Sequence, residues 1–289
     1  MLPLATPPAA RTRRRAARTA RPAQSVVVLV IAAVALGGCQ KLQARMELKK
    51  GNQLYKNETY REALEQFQKG LELDPSATFA WRSVGLTAMA LYRPGVETEE
   101  NQQYAEIAID AFKRYVRAYP HDEKAEEYLD TMLINAGRYD EALARLKAQP
   151  AGKPGVHQAI VTVLSRAGRY DEALAWAQRP EAGKLDPQVF YAIGVACWDK
   201  SYNDPMLDSV ARGRVVDTGL AATKRALELK PDYFEAMAYY NLLFREKAKL
   251  ETDPEKAAEW TKLADEWMQK AIALREREKR AEEAAKKAR

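Results

Sequence analysis

A nine-residue segment occurs twice in the middle of the chain. Residues 136–144 read Ala-Gly-Arg-Tyr-Asp-Glu-Ala-Leu-Ala, and residues 167–175 repeat this order 31 positions later. A period near ~34 residues, with a Gly and a Tyr before an Ala-rich amphipathic segment, is typical of stacked helix–turn–helix units. Because each unit buries its apolar face only against its neighbours, this repeat predicts the fold of most of the chain.

Anchor residues of the same kind continue on both sides of this segment. They are Gly51, Tyr60, Ala63, Phe67, Gly70 and Pro75; Trp81, Gly85, Ala108, Phe112, Tyr115 and Pro120; Phe190, Ile193, Gly194, Gly219, Ala226 and Pro231; and Met237, Tyr240 and Asn241. The second set fits only if the residues around Tyr92 to Gln102 are looped out between two helices. A further set requires a similar insertion from Asp199 to Val215.

This pattern resembles the tetratricopeptide repeat family over roughly residues 44 to 274. The resemblance implies an all-α solenoid of about five to six helix–turn–helix repeats. In the third and fourth repeats, Pro150 and Pro180 predict short second helices, because proline ends a helix.

The N-terminal segment carries a second signal. An arginine-rich stretch precedes an apolar run from Val26 to Leu36, and the run ends in Leu36-Gly37-Gly38-Cys39. The run is shorter than the ~20 residues of a transmembrane helix but suits a secretory signal. Its ending resembles the lipobox of bacterial lipoproteins, which implies cleavage before Cys39 and acylation of Cys39. An uncleaved signal anchor with an incidental cysteine is the alternative.

The two signals together predict the organisation of the chain. We expect a cleaved signal peptide (1–38), a lipidated tether (39–43), the solenoid (44–274) and a charged tail, helical or disordered (275–289). By the same resemblance, Gln40 rather than Asp after the cysteine implies the outer membrane, facing the periplasm.

The basic balance of the chain belongs to its N-terminus. The sequence has 46 Lys and Arg against 40 Asp and Glu, but six of the arginines and none of the acids precede Cys39. The remainder therefore carries equal numbers of each sign. A nucleic-acid partner, which needs a basic face to displace counterions, is not expected.

Catalytic and metal-binding patterns are not found in the sequence. His121 and His157 lack neighbours at metal-ligand spacing, and the chain has no Gly-rich phosphate loop and no nucleophile elbow. Cys197 lies in a predicted helix, where the repeats place a small packing residue, so we expect no disulfide. We therefore expect no cofactor, no metal ion and no enzymatic activity.

Function is expected on the concave side, which the first helix of each repeat lines in this family. The predicted lining residues are Leu48, Asn52, Tyr55, Arg82, Leu86, Met89, Glu127, Thr131, Gln158, Thr162, Tyr191, Val195 and Trp198. Each of them would instead be core if the repeat frame slipped by one residue. Aromatic and apolar members of this set suit the anchoring of a peptide or helix.

The resulting expectation is a lipid-anchored bacterial scaffold that binds protein partners at the membrane. By resemblance, candidate machineries are outer-membrane barrel assembly, assembly of the type IV pilus secretin, and peptidoglycan enzymes. The alternative is a solenoid that holds a small molecule or a glycan between its inserted loops, or an auxiliary subunit of an envelope enzyme.

Overall fold

In a computed structural model, the described residues are 22–150, 153–179 and 186–287, with side chains described from residue 39 onward in the first range. The arginine-rich stretch of the predicted signal peptide and Pro180 lie outside them. Within the described residues the chain forms twelve helices and no strands. They are α1 (Pro22–Lys56), α2 (Tyr60–Leu73), α3 (Ala80–Leu91), α4 (Glu99–Ala118), α5 (Glu123–Asn135), α6 (Tyr139–Lys147), α7 (Val156–Arg166), α8 (Tyr170–Ala177), α9 (Pro187–Asn203), α10 (Ser209–Leu229), α11 (Phe234–Leu250) and α12 (Pro254–Lys287).

The fold is all-α and consists of helix–turn–helix repeats of the tetratricopeptide type, as the sequence predicts. In five of the repeats the two helices pack against each other: α1 with α2, α5 with α6, α7 with α8, α9 with α10, and α11 with α12. The chain divides into two compact units, the first ending at Leu91 and the second beginning at Tyr92. The two helices predicted for the second repeat, α3 and α4, therefore fall in different units.

In the first unit, two glycines let α1 and α2 approach closely. A Cβ on Gly51 of α1 would lie 2.8 Å from ring carbons of Phe67 on α2, and a Cβ on Gly70 of α2 would lie 2.6 Å from Leu48 on α1. Each glycine thus faces a large apolar side chain of the other helix. This is the ridge-into-groove packing that the anchor residues predict.

In the second unit, the repeated segment links neighbouring repeats through its polar residues. Arg138 pairs with Glu106 of α4 at 2.8 Å, and its equivalent Arg169 pairs with Asp140 of α6 at 2.9 Å. Asp171 of α8 in turn accepts a hydrogen bond from the Thr218 hydroxyl of α10. Each copy of the segment therefore contacts the second helix of a neighbouring repeat, while Ala142 and Ala173 of the two copies are fully buried.

The two predicted insertions differ from the structure. Residues 92–98 form the loop before α4, but the residues from Glu99 onward are already helical. Most of the stretch from Asp199 to Val215 is helical too, because α9 continues to Asn203 and α10 begins at Ser209. The extra residues lengthen the two helices of this repeat and leave only residues 204–208 as a turn.

Three further expectations concern single segments. The helices before Pro150 and Pro180 are short, with nine residues in α6 and eight in α8. Cys197 is fully buried, and burial raises the pKa of its thiol well above the usual range. Residues 275–287 continue α12 as an exposed helix. Among the described residues, no helix is both long and apolar enough to cross a membrane.

Candidate functional site

The predicted lining residues of the first unit are accessible, with one exception. Asn52 is exposed on α1, while Tyr55 and, on α3, Arg82, Leu86 and Met89 are half-buried. Leu48 is only 5% exposed and packs against Gly70 of α2. The interpretation of Leu48 as a lining residue is therefore wrong, because its position on α1 points into the interface with α2.

The predicted lining residues of the second unit all reach the surface. Four of them are exposed, namely Glu127 and Thr131 on α5 and Gln158 and Thr162 on α7; three on α9, namely Tyr191, Val195 and Trp198, are half-buried. Gln158 and Thr162 line a pocket with other residues of α9, whereas Tyr191 and Trp198 belong to a row of aromatic rings.

A pocket of about 320 Å³ lies between α7 and α9, the first helices of two successive repeats. Its lining includes Gln158, Val161, Thr162, Ser165 and Arg166 of α7 and Gln188, Val189, Ala192 and Ala196 of α9. The small side chains of Ala192 and Ala196 leave room for this pocket, and polar side chains such as Gln158, Thr162 and Gln188 also line it. The Tyr233 hydroxyl donates a 3.1 Å hydrogen bond to the Gln188 side-chain oxygen, which holds one of these edge residues in place.

Beside this pocket, α9 and α11 carry a continuous row of aromatic rings, here called the aromatic strip: Tyr191, Trp198, Tyr202 and Tyr239. The three α9 members are spaced by seven and four residues, so they share one face of the helix. Tyr239 of α11 stands edge-on to two of them, with ring centroids 5.6 Å from Tyr191 and 5.5 Å from Trp198. Trp198 and Tyr202 stack at 5.1 Å.

At the exposed end of the strip, an aromatic ring borders an ion pair, in which the Lys249 ammonium lies 2.6 Å from a carboxylate oxygen of Glu246. Tyr202 is 57% exposed, and the ammonium of Lys249 lies 5.3 Å from the centre of its ring. At the other end, burial together with nearby Tyr239 and Glu235 raises the pKa of Tyr191. The Tyr191 hydroxyl therefore stays protonated at neutral pH and can donate a hydrogen bond. Half-buried aromatic rings with polar tips are typical anchors of protein interfaces.

Sequence reasoning missed Tyr202 and Tyr239. Tyr202 follows Trp198 by four residues, which is a helical spacing, but it lay inside the stretch predicted to be an insertion. Had α9 been extended through that stretch, the periodicity of Tyr191, Trp198 and Tyr202 would have shown the strip. Tyr239 neighbours the anchor Tyr240 and could be assigned to the surface only once the rotation of α11 was known.

The turns at the two predicted insertions are held by side chains of the helices that follow them. The guanidinium of Arg212 donates to the backbone carbonyl oxygens of Ser201, Asp204 and Leu207, which fixes the turn between α9 and α10. The Asn101 amide bonds to backbone groups of Arg93 and Val96 at 2.7–2.8 Å in the same way.

In the part of the chain that the structure describes, no three His, Cys, Asp or Glu side chains are grouped as a metal site requires. The chemistry that the α7–α9 pocket and the aromatic strip offer is non-covalent contact with apolar groups, bordered by hydrogen-bonding side chains.

Comparisons with known proteins add similarity to solved structures only. A scan against protein-family models found no match, and neither did a search of curated proteins. The C-terminal part of a TPR repeat-containing protein from Cytophaga hutchinsonii is 17% identical over 78% of this chain and 78% of its own, with a TM-score of 0.44.

Two further structures are similar at comparable levels. YrrB, described as a TPR protein with an unusual peptide-binding site, is 21% identical over 66% of this chain and 88% of its own, with a TM-score of 0.37. A MamA fragment from Desulfovibrio magneticus RS-1 is 14% identical over 81% of this chain and 96% of its own, with a TM-score of 0.32. The description of this chain as a helix–turn–helix repeat protein rests on its own helix pairs and not on these similarities.

Proposed function

We propose that this protein is a lipid-anchored scaffold of the bacterial envelope, which binds segments of other proteins on the surface formed by α7, α9 and α11. The observation that carries the proposal is the aromatic strip beside the α7–α9 pocket. A contiguous row of partly exposed aromatic rings next to a pocket is typical of a binding surface, whereas single exposed apolar residues are common.

The two features complement each other in the contacts they offer to a polypeptide. The pocket can take one apolar side chain between Ala192 and Ala196, with Gln158 and Gln188 placed to bond the backbone of the bound segment. The aromatic strip extends from Tyr191 to Tyr202, about 17 Å along the helix at ~1.5 Å per residue. That length matches about three turns of a bound helix or five residues of an extended peptide.

The envelope location rests on the sequence, through the resemblance of residues 36–39 to a lipobox. Acylation at Cys39 would tether the chain to a membrane, and Gln40 favours the outer membrane by the same resemblance. The alternative of a ligand held between the inserted loops has less support, since Arg212 and Asn101 fill and fix those turns.

Site-specific photocrosslinking in living cells tests the binding surface. A benzophenone amino acid replaces Thr162 at the pocket edge, and a control places it at Glu228, exposed on the second helix α10. We expect discrete protein adducts at Thr162 that are lost, by roughly tenfold or more, when Trp198→Ala and Tyr239→Ala are added.

A matched variant shows whether the adducts depend on the aromatic strip in particular or on any exposed aromatic side chain. Tyr119→Ala removes an aromatic side chain that is 38% exposed at the end of α4, away from the strip, and it should leave the adducts unchanged. Adducts that survive the double substitution with an unchanged pattern would reject the aromatic strip as the binding surface.

A further inference from the structure

The rotation of α1 about its own axis is fixed by its packing against α2. Ala44, Leu48 and Gly51 of α1 are buried, with Leu48 against Gly70 and Gly51 against Phe67. These three positions are spaced by four and three residues, so they mark one face of the helix. The opposite face of α1 is thereby determined as well.

That opposite face carries Cys39, Leu42 and Met46, again at spacings of three and four residues. Cys39 is exposed, and Leu42 and Met46 are 62% and 64% exposed. Single exposed apolar residues are common on protein surfaces. Here, however, both large apolar side chains lie in line with the cysteine that is the predicted site of acylation.

The charges around this face are of one sign. Lys49 and Lys50 continue it by one turn, and all the basic residues of the segment, Lys41, Arg45, Lys49, Lys50 and Lys56, are exposed. Glu47 is the one acidic residue between Cys39 and Lys56 in the sequence. It turns away from the face and pairs with Lys69 of α2 at 2.8 Å, with 14% of its side chain exposed.

We propose that this face of α1, formed by Cys39, Leu42, Met46, Lys49 and Lys50, lies flat on the surface of an anionic lipid bilayer. The apolar side chains enter the interface beside the acyl chains, and the lysines meet the phosphates of the headgroups. The inference rests on the proposed acylation of Cys39. The inference goes beyond the acylation, because a lipid alone would only tether the first helix pair, whereas this face would also orient the pair on the bilayer.

Charge complementarity favours a lipid occupant over a protein one. A basic patch beside an acylated residue adds an attraction to anionic lipids, and this face provides such a patch directly at Cys39. Each lysine near an anionic surface strengthens binding by roughly fivefold.

Fluorescence quenching in vesicles tests the contact. Full-length protein is processed in bacterial cells, and Met46→Cys is labelled with an environment-sensitive probe; Asn52→Cys is the control, exposed on the same helix but about 120° away. The thiol of Cys39 is blocked by the proposed acylation, and Cys197 is buried, so neither is expected to react with the probe. Both proteins enter protein-free vesicles of phosphatidylcholine with phosphatidylglycerol and a brominated phosphatidylcholine.

We expect quenching at position 46 to exceed that at position 52 by roughly threefold, since an interfacial helix buries its apolar face by ~5–10 Å. Lys49→Gln together with Lys50→Gln should reduce it in vesicles with phosphatidylglycerol but not in phosphatidylcholine alone. Equal, weak quenching at both positions overturns the inference. A probe at position 46 that is shielded from solvent in cells but not quenched in vesicles also overturns the inference, because this face of α1 would then be covered by a protein.

Incorporation of labelled palmitate, measured on the same samples, separates this inference from the proposed function. Palmitate incorporated with no difference between the two probes means that the anchor is right and the face is wrong. Absence of palmitate means that the anchor is wrong, and the inference that rests on it fails as well.

Discussion

Gly219 of α10 lies directly against Cys197 of α9. A Cβ added to Gly219 would stand 2.8 Å from the Cβ of Cys197, and equally close to a methyl carbon of Leu243 on α11. Three helices meet at this point without room for one methyl group. Trp198 of the aromatic strip follows Cys197 directly on α9. A displacement of α9 at this contact would therefore also displace the strip.

Gly219→Ala is therefore expected to destabilise the second unit. The methyl group must displace the helices or distort Leu243, which typically costs about 1–3 kcal/mol. Gly213→Ala is the matched control in the same helix, where a Cβ meets nothing within 4 Å. It should stabilise by about 0.5–1 kcal/mol through helix propensity. Urea unfolding followed by circular dichroism measures both, and shifts of the same sign would contradict the packing described.

The turn inside the first repeat contains a strained residue. Glu58 has a φ of 60°, in the region that favours glycine, whereas the equivalent positions of two later repeats hold Gly137 and Gly168 with φ of 73° and 72°. Glu58→Gly should stabilise the first unit by about 0.5–1 kcal/mol, because a side chain in this conformation costs ~1–2 kcal/mol.

Two controls bracket this prediction. Gly137→Ala should destabilise by a similar amount, since it puts a side chain into the same conformation. Glu65→Gly, exposed within α2, should destabilise by about 1 kcal/mol through lost helix propensity. Melting temperatures compare the three, and a Glu58→Gly protein that melts below the wild type would show that the strain is not relieved.

The spacing of small and aromatic residues allowed most of the fold to be predicted. Gly51, Phe67, Ala142 and Ala173 take their packing roles because helices can approach closely only at small residues, and this requirement is local in sequence. The α9–α10 repeat was harder. The spacing of anchor residues shows that extra residues are present, but it does not distinguish a looped insertion from longer helices. For that reason Tyr202 was not predicted as part of the binding surface.

The prediction of the lining residues was limited by the unknown rotation of each helix about its axis. A face of a helix is assigned correctly only if the rotation is known to within one residue, about 100°. On α7 and α9, Gln158, Thr162 and Tyr191 reach the surface, as lining residues must, and their place in a binding groove stays a prediction. On α1 the prediction failed for Leu48, because that position supports α2. The division of the chain at Tyr92 depends on contacts between distant residues and has no local signal.

Glu141 gives the repeated segment a pH-dependent contribution to stability. Hydrogen bonds from Lys113 and Arg138 hold the pKa of this carboxylate below its usual value. The folded state therefore binds the proton less readily than the unfolded state, so the contribution is complete above the ordinary pKa of glutamate and disappears as the pH falls through the lowered pKa.

Glu141→Gln should accordingly cost more at pH 7 than at about pH 3. The side chain is 36% exposed, so the difference in free energy of unfolding should stay below about 1 kcal/mol. Urea denaturation of both proteins at the two pH values measures it. A cost that is larger at the acidic pH would have the wrong sign for this ion pair.

Cys39→Ala tests the proposed anchor. The substitution removes the thiol that would be acylated, so we expect no incorporation of labelled palmitate and an uncleaved or soluble protein. Cys197→Ala is the control, because that thiol is buried in α9 and should not affect labelling. Unchanged palmitate labelling and fractionation of the Cys39→Ala protein would reject the lipoprotein assignment. Recovery of the wild type in purified inner membrane would reject only the outer-membrane location.

The distance between the anchor and the first repeat is the last property that can be tested. Cys39 belongs to α1, the helix that also contains Ala44, the first buried residue of the repeat, so only four residues separate the two. Acylation at Cys39 would hold the first helix pair within a few ångströms of the membrane. We hypothesise that this closeness serves partners that are themselves in or on that membrane.

A flexible Gly/Ser linker of about 20 residues after Gln40 would let the first repeat move by roughly 25 Å. We expect this variant to keep its fold and its palmitate but to recover fewer membrane partners after crosslinking at Thr162. The same linker placed after Lys287, beyond the exposed end of α12, should change nothing. If the partners are recovered at the same yield with the linker after Gln40, the close attachment has no role, and a soluble periplasmic partner becomes the better proposal.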